Sequence, residues 1–150
     1  MKTNFQISLF LMLAFSLLAS CKSQQYTAEN LPEQQLVFGE GGGFTGAVTQ
    51  YILLENGQIF KHYSMEASTV ELGSVKKRTA KEMMKKVQAM QLDTMDVKQP
   101  GNMYYFLSYK TGEDEHRVTW GAASYQVDSQ IESFYKELMQ MSKNVKAPKK

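Results

Sequence analysis

The sequence predicts an α+β fold, a two-layer sandwich in which an antiparallel four- to five-stranded sheet has two helices on one face. Two observations lead to this prediction. Two stretches alternate apolar and polar side chains on either side of a short turn, as antiparallel hairpins do. Each is followed by a stretch whose apolar residues recur at helical spacing. The predicted order along the chain is therefore ββ(β)αββα, in which the bracketed strand has the weakest signal.

The N-terminus has the features of a secretory signal. Lys2 supplies a positive charge, residues 5–18 are almost continuously apolar, and small residues follow them. This apolar run is shorter than the roughly 20 residues that a transmembrane helix needs. We therefore predict that residues 1–20 are a signal peptide that is removed.

Cys21 ends a Leu-Ala-Ser-Cys motif and is the only cysteine in the chain. The motif matches the lipobox of bacterial lipoproteins, in which the cysteine is acylated and the signal is cut off before it. The alternative is an ordinary signal peptide with an incidental cysteine. Lipidation at Cys21 leaves no thiol for a disulfide, a zinc site or a nucleophile. The sequence thus predicts a protein held to a membrane through Cys21.

The remaining chain divides into three parts. Residues 21–34 are polar and without periodicity, which predicts a lipidated tether. Residues 35–143 form a single α+β domain, and residues 144–150 form a basic tail. We interpret this tail as a solvated terminus, with contact to anionic lipid headgroups as the alternative. The 17 Lys and Arg residues nearly balance the 15 Asp and Glu residues, so no nucleic-acid partner is expected.

Residues 38–48 read FGEGGGFTGAV. The spacing of the kinase phosphate loop is met by Gly41, Gly43, Gly46 and Val48. A dinucleotide loop opens a helix, whereas a strand is predicted to follow here, and the other kinase motifs are missing. We therefore expect no nucleotide and no other cofactor. The glycines are interpreted as the lead-in to the first strand, with Phe38 and Phe44 as hydrophobic pins on either side.

The first predicted hairpin and helix follow this stretch. Residues 47–54 alternate as a strand, and Asn56-Gly57 predicts a type I′ turn into a strand at residues 59–63. Residues 70–75 give the weaker third strand. Thr79 and Glu82 are spaced as a capping box at the start of a helix that ends near residue 90.

The second half has the same order of elements. Residues 103–110 predict a strand, Thr111-Gly112 a turn, and residues 116–120 the returning strand. A helix then begins near Val127, with Asp128 and Ser129 as candidate caps.

These residues predict at most a ligand-binding site. Its candidates are the glycine loop and two aromatic residues of the second hairpin: Gly41, Gly42, Gly43, Phe44, Tyr104 and Trp120. The favoured interpretation of the aromatic residues is a sheet stabilised by cross-strand aromatic pairs, and an open ligand-binding face is the alternative. His62 and His116 are isolated, and the acidic run before His116 lacks the spacing of a calcium loop. No catalytic residue and no metal site is therefore predicted.

Several blocks of the chain resemble a group of small uncharacterised lipoproteins of Bacteroidota. These blocks are LLASCKSQ, FGEGGGFTGAVTQYILLENGQIFK, PGNMYYFL and Thr119-Trp120-Gly121. The resemblance implies a location and a fold, with no activity. Surface-exported lipoproteins of that phylum often have an acidic run after the cysteine, which is absent here, so an outer-membrane lipoprotein facing the periplasm is expected. Asp93-Thr94-Met95 resembles the O-glycosylation pattern of the phylum, which makes Thr94 a candidate; the alternative is a helix-terminating turn.

The function expected from these features is that of a lipid-anchored envelope lipoprotein, a non-enzymatic binding or structural module. Its expected partners are the membrane, through Cys21, and an envelope protein or small ligand. The competing hypothesis is a small periplasmic hydrolase or an enzyme inhibitor that uses the loop at residues 41–45.

Overall fold

The structure is a computed structural model that describes residues 24–148, and it contains a seven-stranded sheet and two α-helices. The elements in chain order are β1 Gln35–Gly42, β2 Ala47–Leu53, β3 Gln58–Tyr63, β4 Ser68–Ser74, α1 Lys77–Ala89, β5 Lys98–Gln99, β6 Met103–Thr111, β7 Asp114–Trp120 and α2 Ser129–Lys143. A short 3-10 turn, Leu92–Thr94, follows α1.

The α+β class is confirmed, but the sheet is larger than predicted and its order differs. The strand order across the sheet is β4-β3-β2-β1-β6-β7-β5, and the chain order is ββββαβββα. All neighbours are antiparallel except β5 and β7, which are parallel over two residue pairs. The two-residue β5 is too short to produce a periodic signal, which is one reason why the sheet is underpredicted.

The central strand β1 is the main element that the sequence does not predict. It contains the glycines that are interpreted above as a lead-in to the first strand. No strand is predicted at these residues because a glycine-rich stretch has low strand propensity. β1 is paired along its length with β2 and with β6. A Cβ added to Gly39 would lie 2.9 Å from a ring carbon of Phe106, and one added to Gly41 would lie 2.6 Å from Tyr104 Oη. The glycines therefore allow two aromatic rings of β6 to lie on the backbone of β1.

Both predicted hairpins are confirmed, but the turn between β2 and β3 differs in type. Gly57 has φ +100°, whereas Asn56 has no positive φ, so the turn is not type I′. The Gly57 N–H donates to the Leu54 carbonyl at 2.9 Å, which closes the turn one residue earlier.

The predicted N-terminal cap is wrong for the first helix and correct for the second. α1 begins at Lys77 after Lys76 with no side-chain cap, so the predicted capping box is wrong, and Glu82 pairs with Arg78 at 3.0 Å instead. α2 is capped by Asp128, whose Oδ1 accepts from the Gln130 N–H at 2.7 Å. Within residues 24–148, neither helix is long and apolar enough to cross a membrane.

The sheet has a core on each face. The larger core lies between one face, here called the helix face, and both helices, and it includes Phe38, Leu53, Met84, Trp120 and Leu138. The smaller core lies on the opposite, outer face and consists of Val37, Ile52, Leu54, Phe60 and Phe106. Tyr26, Ala28 and Leu31 pack against this smaller core. The described part of the predicted tether therefore lies on the sheet.

Candidate functional site

The strands run between two ends of the molecule that differ in character. We call distal the end formed by the β1–β2 turn at residues 43–46, the β3–β4 turn at residues 64–67 and the start of β6 at residues 102–103. We call proximal the opposite end, formed by the β2–β3 turn, the start of α1 and residues 24–26. Strands of six to nine residues separate the two ends, which corresponds to roughly 20–30 Å.

Three distal segments are joined by hydrogen bonds. The Gly43 N–H donates to the Asn102 carbonyl at 2.7 Å, which ties the β1–β2 turn to the start of β6. The Ser64 N–H donates to the Val48 carbonyl at 2.9 Å, and the Val48 N–H donates to Ser64 Oγ at 2.8 Å. The distal end is therefore one connected surface.

Large apolar side chains are exposed on this surface. Phe44 is fully exposed, and the side chains of Met65 and Met103 are 60% and 46% exposed. The prediction that Phe44 is a hydrophobic pin is wrong, because the residue lies at the tip of a turn with no cover. Phe38, the other predicted pin, is fully buried and stacks on Tyr51 with ring centroids 5.5 Å apart.

A row of polar and aromatic side chains crosses the helix face near the distal end. The strand register aligns Glu40 of β1 with Thr49 of β2 on one side and with Tyr105 of β6 on the other. The row continues to Tyr63 and Ser68 in one direction and to Trp120 in the other. Directly paired residues point to the same face, so these side chains form one continuous line.

Helix α2 covers the β6–β7 half of this row. The rings of Tyr105, Trp120 and Tyr135 are packed at centroid distances of 5.2 to 6.0 Å. Tyr135 Oη is buried and has no hydrogen-bond partner among the described residues. Burial raises the pKa of the Tyr135 hydroxyl, and the Glu40 carboxylate raises it further. Tyr135 is therefore a neutral phenol whose donor is unused.

The β2–β4 half of the row is open. A cavity of about 280 Å³ is lined by Thr49, Lys61, Tyr63, Glu66, Ser68 and Val70. It offers an ammonium group, hydroxyls and a carboxylate next to the 52% exposed side chain of Val70. This volume is at the lower limit for a small-molecule pocket, so it fits a side chain or a short polar segment better than a large ligand.

The structure divides the predicted ligand-binding residues between two faces. Gly41 and Gly42 end β1, while Gly43 and Phe44 begin the turn that follows. Tyr104 lies against Gly41 on the outer face. Trp120 is buried on the helix face, next to Tyr105.

Several residues of the distal end are missed by the sequence predictions. Met65 and Met103 are in or next to turns, and Glu40 is hidden in the glycine-rich stretch. Recognising β1 as a strand would have placed Glu40 on the same face as Phe38, since alternate residues share a face. Tyr135 gives no such signal, because its position follows from the docking of α2.

The two histidines lie on β3 and β7, and neither strand pairs with β1. His62 Nδ1 is 2.9 Å from Thr69 Oγ1, an interaction between β3 and β4. His116 pairs with Tyr109 in the sheet and lines a separate cavity of about 250 Å³ with Tyr109, Asp93 and Asp114. Tyr109 is six residues along β6 from Met103, roughly 20 Å from the distal end.

The other predicted sites have simple placements. Thr94 is exposed in the 3-10 turn, and its hydroxyl donates to the Gln91 carbonyl at 2.8 Å. Cys21 lies outside the described residues. Within residues 24–148, no group of three His, Cys, Asp or Glu side chains is placed to hold a metal ion.

No protein-family model matches this chain, and a search of curated proteins finds no match.

Proposed function

We propose that the protein is a lipid-anchored envelope lipoprotein that acts as a non-enzymatic binding module, with its distal end as the binding surface. The observation that supports this most directly is the full exposure of Phe44 at the tip of the β1–β2 turn. Contiguous exposed apolar side chains mark interaction sites more often than single ones do. Met65 and Met103 are also exposed at the same end, and Met103 Sδ would lie 3.3 Å from a Cβ added to Gly43, the residue before Phe44.

The distal turns suit a binding role because little order has to be created on binding. The Gly43 N–H is held by Asn102, and the Gly46 N–H donates to the Gly43 carbonyl at 3.2 Å. A turn fixed in this way loses less conformational entropy in a complex than a mobile loop. The methionines add flexible apolar contacts. The polar cavity beside them supplies the hydrogen-bonding rim that interfaces usually have.

The membrane attachment in this proposal is supported by the lipobox that ends at Cys21 and by the resemblance to Bacteroidota lipoproteins. Two or more acyl chains at one residue anchor a protein stably. Cys21→Ser should leave the protein uncleaved or released from the membrane fraction. Unchanged mass and membrane retention of this variant would contradict the lipid anchor.

The binding role is tested by capture from envelope extracts with Phe44→Ala, compared with wild type. A phenylalanine that anchors an interface contributes about 2 kcal/mol or more, so capture of the partner should fall at least about tenfold. Phe44→Tyr retains the ring and should retain capture. Lys136→Ala, an exposed substitution on α2, controls for general surface effects. Equal capture by Phe44→Ala and wild type would exclude the distal tip as the binding surface.

A second candidate is an enzyme inhibitor, and the same protruding turn favours it. An exposed phenylalanine between Gly43 and Gly46 is suited to enter the active-site cleft of an enzyme. In that case the captured partner is a hydrolase, the wild-type protein slows its turnover, and Phe44→Ala does not. Turnover of a defined substrate by the protein itself would instead support the small-hydrolase hypothesis.

A further inference from the structure

We propose that the β4 side of the proximal end lies against the anionic phospholipid headgroups of the membrane that holds Cys21. This inference rests on the proposed lipid anchor and adds an orientation to it. The partner is a phosphate-bearing bilayer surface, and the contacting groups are the lysines around the point where the N-terminal segment leaves the domain.

The N-terminal segment is attached to the sheet immediately after the predicted anchor. Asn56 Nδ2 donates to the Gln24 carbonyl at 2.7 Å. The Tyr26 N–H donates to Gln58 Oε1 at 2.8 Å, and Gln58 Nε2 donates to the Tyr26 carbonyl at 3.1 Å. Three residues of extended chain span at most about 10 Å. An acylated Cys21 therefore enters the membrane within about this distance of Gln24.

Exposed cations surround this attachment point. Lys77 lines a cavity of about 300 Å³ together with Gln24 and Asn56. Lys76 precedes Lys77 directly, and the backbone of Lys146 forms an isolated β-bridge with Ser74. These three lysines are exposed, and within residues 24–148 none of them forms an ion pair. The exposed side of α1 adds further cations, Arg78, Lys81 and Lys85.

The acidic groups near these cations do not cancel them. Glu82 pairs with Arg78 and Glu55 pairs with Lys81, both at 3.0 Å. Glu29, Glu33 and Glu71 form no ion pair within residues 24–148, and the six basic side chains of the group still outnumber these five acidic ones. The whole chain has a formal net charge of only +2, so this concentration of cations is local.

The opposite side of the proximal end has the reverse charge. Glu113 lies in the β6–β7 turn, Asp114 and Glu115 begin β7, and β7 lies on the other side of β1 from β4. An anionic surface attracts the β4 side and repels this turn. The attraction acts over about one Debye length, about 8 Å at physiological salt, which is similar to the reach of the residues between Cys21 and Gln24. The anchor thus keeps the lysines within range.

Lysine acetylation followed by mass spectrometry tests this orientation on the full-length lipoprotein in vesicles. Vesicles of phosphatidylcholine alone are compared with vesicles in which part of the lipid is phosphatidylglycerol. On the anionic vesicles, we expect Lys76, Lys77 and Lys146 to react about threefold or more slowly, while Lys98 and Lys136 react at unchanged rates. High salt should abolish the difference.

Charge variants separate headgroup contact from simple crowding at the surface. Lys81 and Lys85, on the exposed side of α1, should also react more slowly on anionic vesicles in the wild type, and they should lose this protection in Lys76→Gln/Lys77→Gln/Lys146→Gln. The matched control Lys98→Gln/Lys110→Gln/Lys136→Gln removes the same charge elsewhere and should keep it. Equal reactivity on both vesicle types in a retained protein would overturn the orientation. Failure of the wild type to remain on neutral vesicles would instead overturn the lipid anchor.

Discussion

The two ends of the sheet differ in how their segments are held together and in which side chains they expose. At the proximal end, Asn56 of the β2–β3 turn binds Gln24 of the N-terminal segment, and Ser74 of β4 pairs with Lys146 of the C-terminal residues. At the distal end, the turns are fixed by backbone hydrogen bonds, but apolar side chains such as Phe44 project into solvent. Substitutions at the proximal end should therefore cost stability, while distal substitutions should alter recognition with little loss of stability.

The largest expected difference concerns the two phenylalanines of the glycine-rich stretch. Phe38→Ala opens a cavity in the main core and should lower the free energy of unfolding by about 3–5 kcal/mol. Phe44→Ala removes a side chain that is already exposed, so the expected change is within about 0.5 kcal/mol. Urea unfolding measures both. Phe38→Leu, expected to cost about 1–2 kcal/mol, keeps the test valid if Phe38→Ala does not fold.

Two glycine-to-alanine substitutions, one at each end, compare the stability cost at the two ends directly. A Cβ on Gly73 would lie 1.8 Å from the Lys146 carbonyl oxygen, at φ +137°. Gly73→Ala must displace the C-terminal residues and should cost about 3 kcal/mol. A Cβ on Gly46 meets nothing within 4 Å, although φ is +64°. Gly46→Ala should therefore cost only about 1 kcal/mol, the backbone term alone. Similar unfolding midpoints for the two variants would contradict the tight proximal contact.

The attachment of the N-terminal segment is tested at Gln58, which is 2% exposed. Gln58→Leu leaves the Tyr26 N–H and carbonyl without their partner and should cost about 1–3 kcal/mol. Hydrogen exchange at the Tyr26 amide should accelerate more than exchange in β1. Gln50→Leu, a half-buried substitution in β2, should leave the Tyr26 amide protected. Unchanged protection in Gln58→Leu would contradict a role of Gln58 in holding the segment.

A small effect of the opposite sign is expected at Tyr135. Tyr135→Phe removes a buried hydroxyl that lacks a partner in the described structure, so stability should rise by about 1 kcal/mol. Tyr104→Phe, on the outer face, is the control and should not stabilise.

The same variant should also change the alkaline limb of the stability curve. Burial and Glu40 raise the pKa of Tyr135 in the folded state above its ordinary value of 10.0. Above pH 10, the unfolded chain loses this proton while the folded chain keeps it. Stability is therefore fully present below pH 10 and falls as the pH rises, by up to about 1.4 kcal/mol per pH unit for one such group. This component should be missing in Tyr135→Phe, and identical alkaline slopes would contradict it.

The parts of the fold that the sequence predicts correctly depend on residues that are close together in the sequence. The β2–β3 and β6–β7 hairpins follow from two-residue alternation around Asn56-Gly57 and Thr111-Gly112. The start of α2 follows from the Asp128 cap. The start of α1 is mispredicted, because Lys76 has no capping side chain and Thr79 offers a false signal.

The candidate site is less predictable than the fold. The glycine loop directs attention to Gly43 and Phe44, but the partners of these residues come from distant segments. Met65 and Met103 join the distal end only because β3 and β6 reach the same end of the sheet as the β1–β2 turn. Tyr135 approaches Tyr105 only when α2 docks.

The FGEGGGFTGAV stretch separates what local sequence determines from what tertiary structure decides. The sequence by itself determined that its glycines do not open a helix and that a strand and a hairpin follow it. Only the tertiary structure decided that the first half of the stretch is the central strand, because its stability comes from pairing with β6 and from the rings of Tyr104 and Phe106. The same pairing buries Phe38 and leaves Phe44 exposed, since burial depends on contacts that no short window of sequence contains.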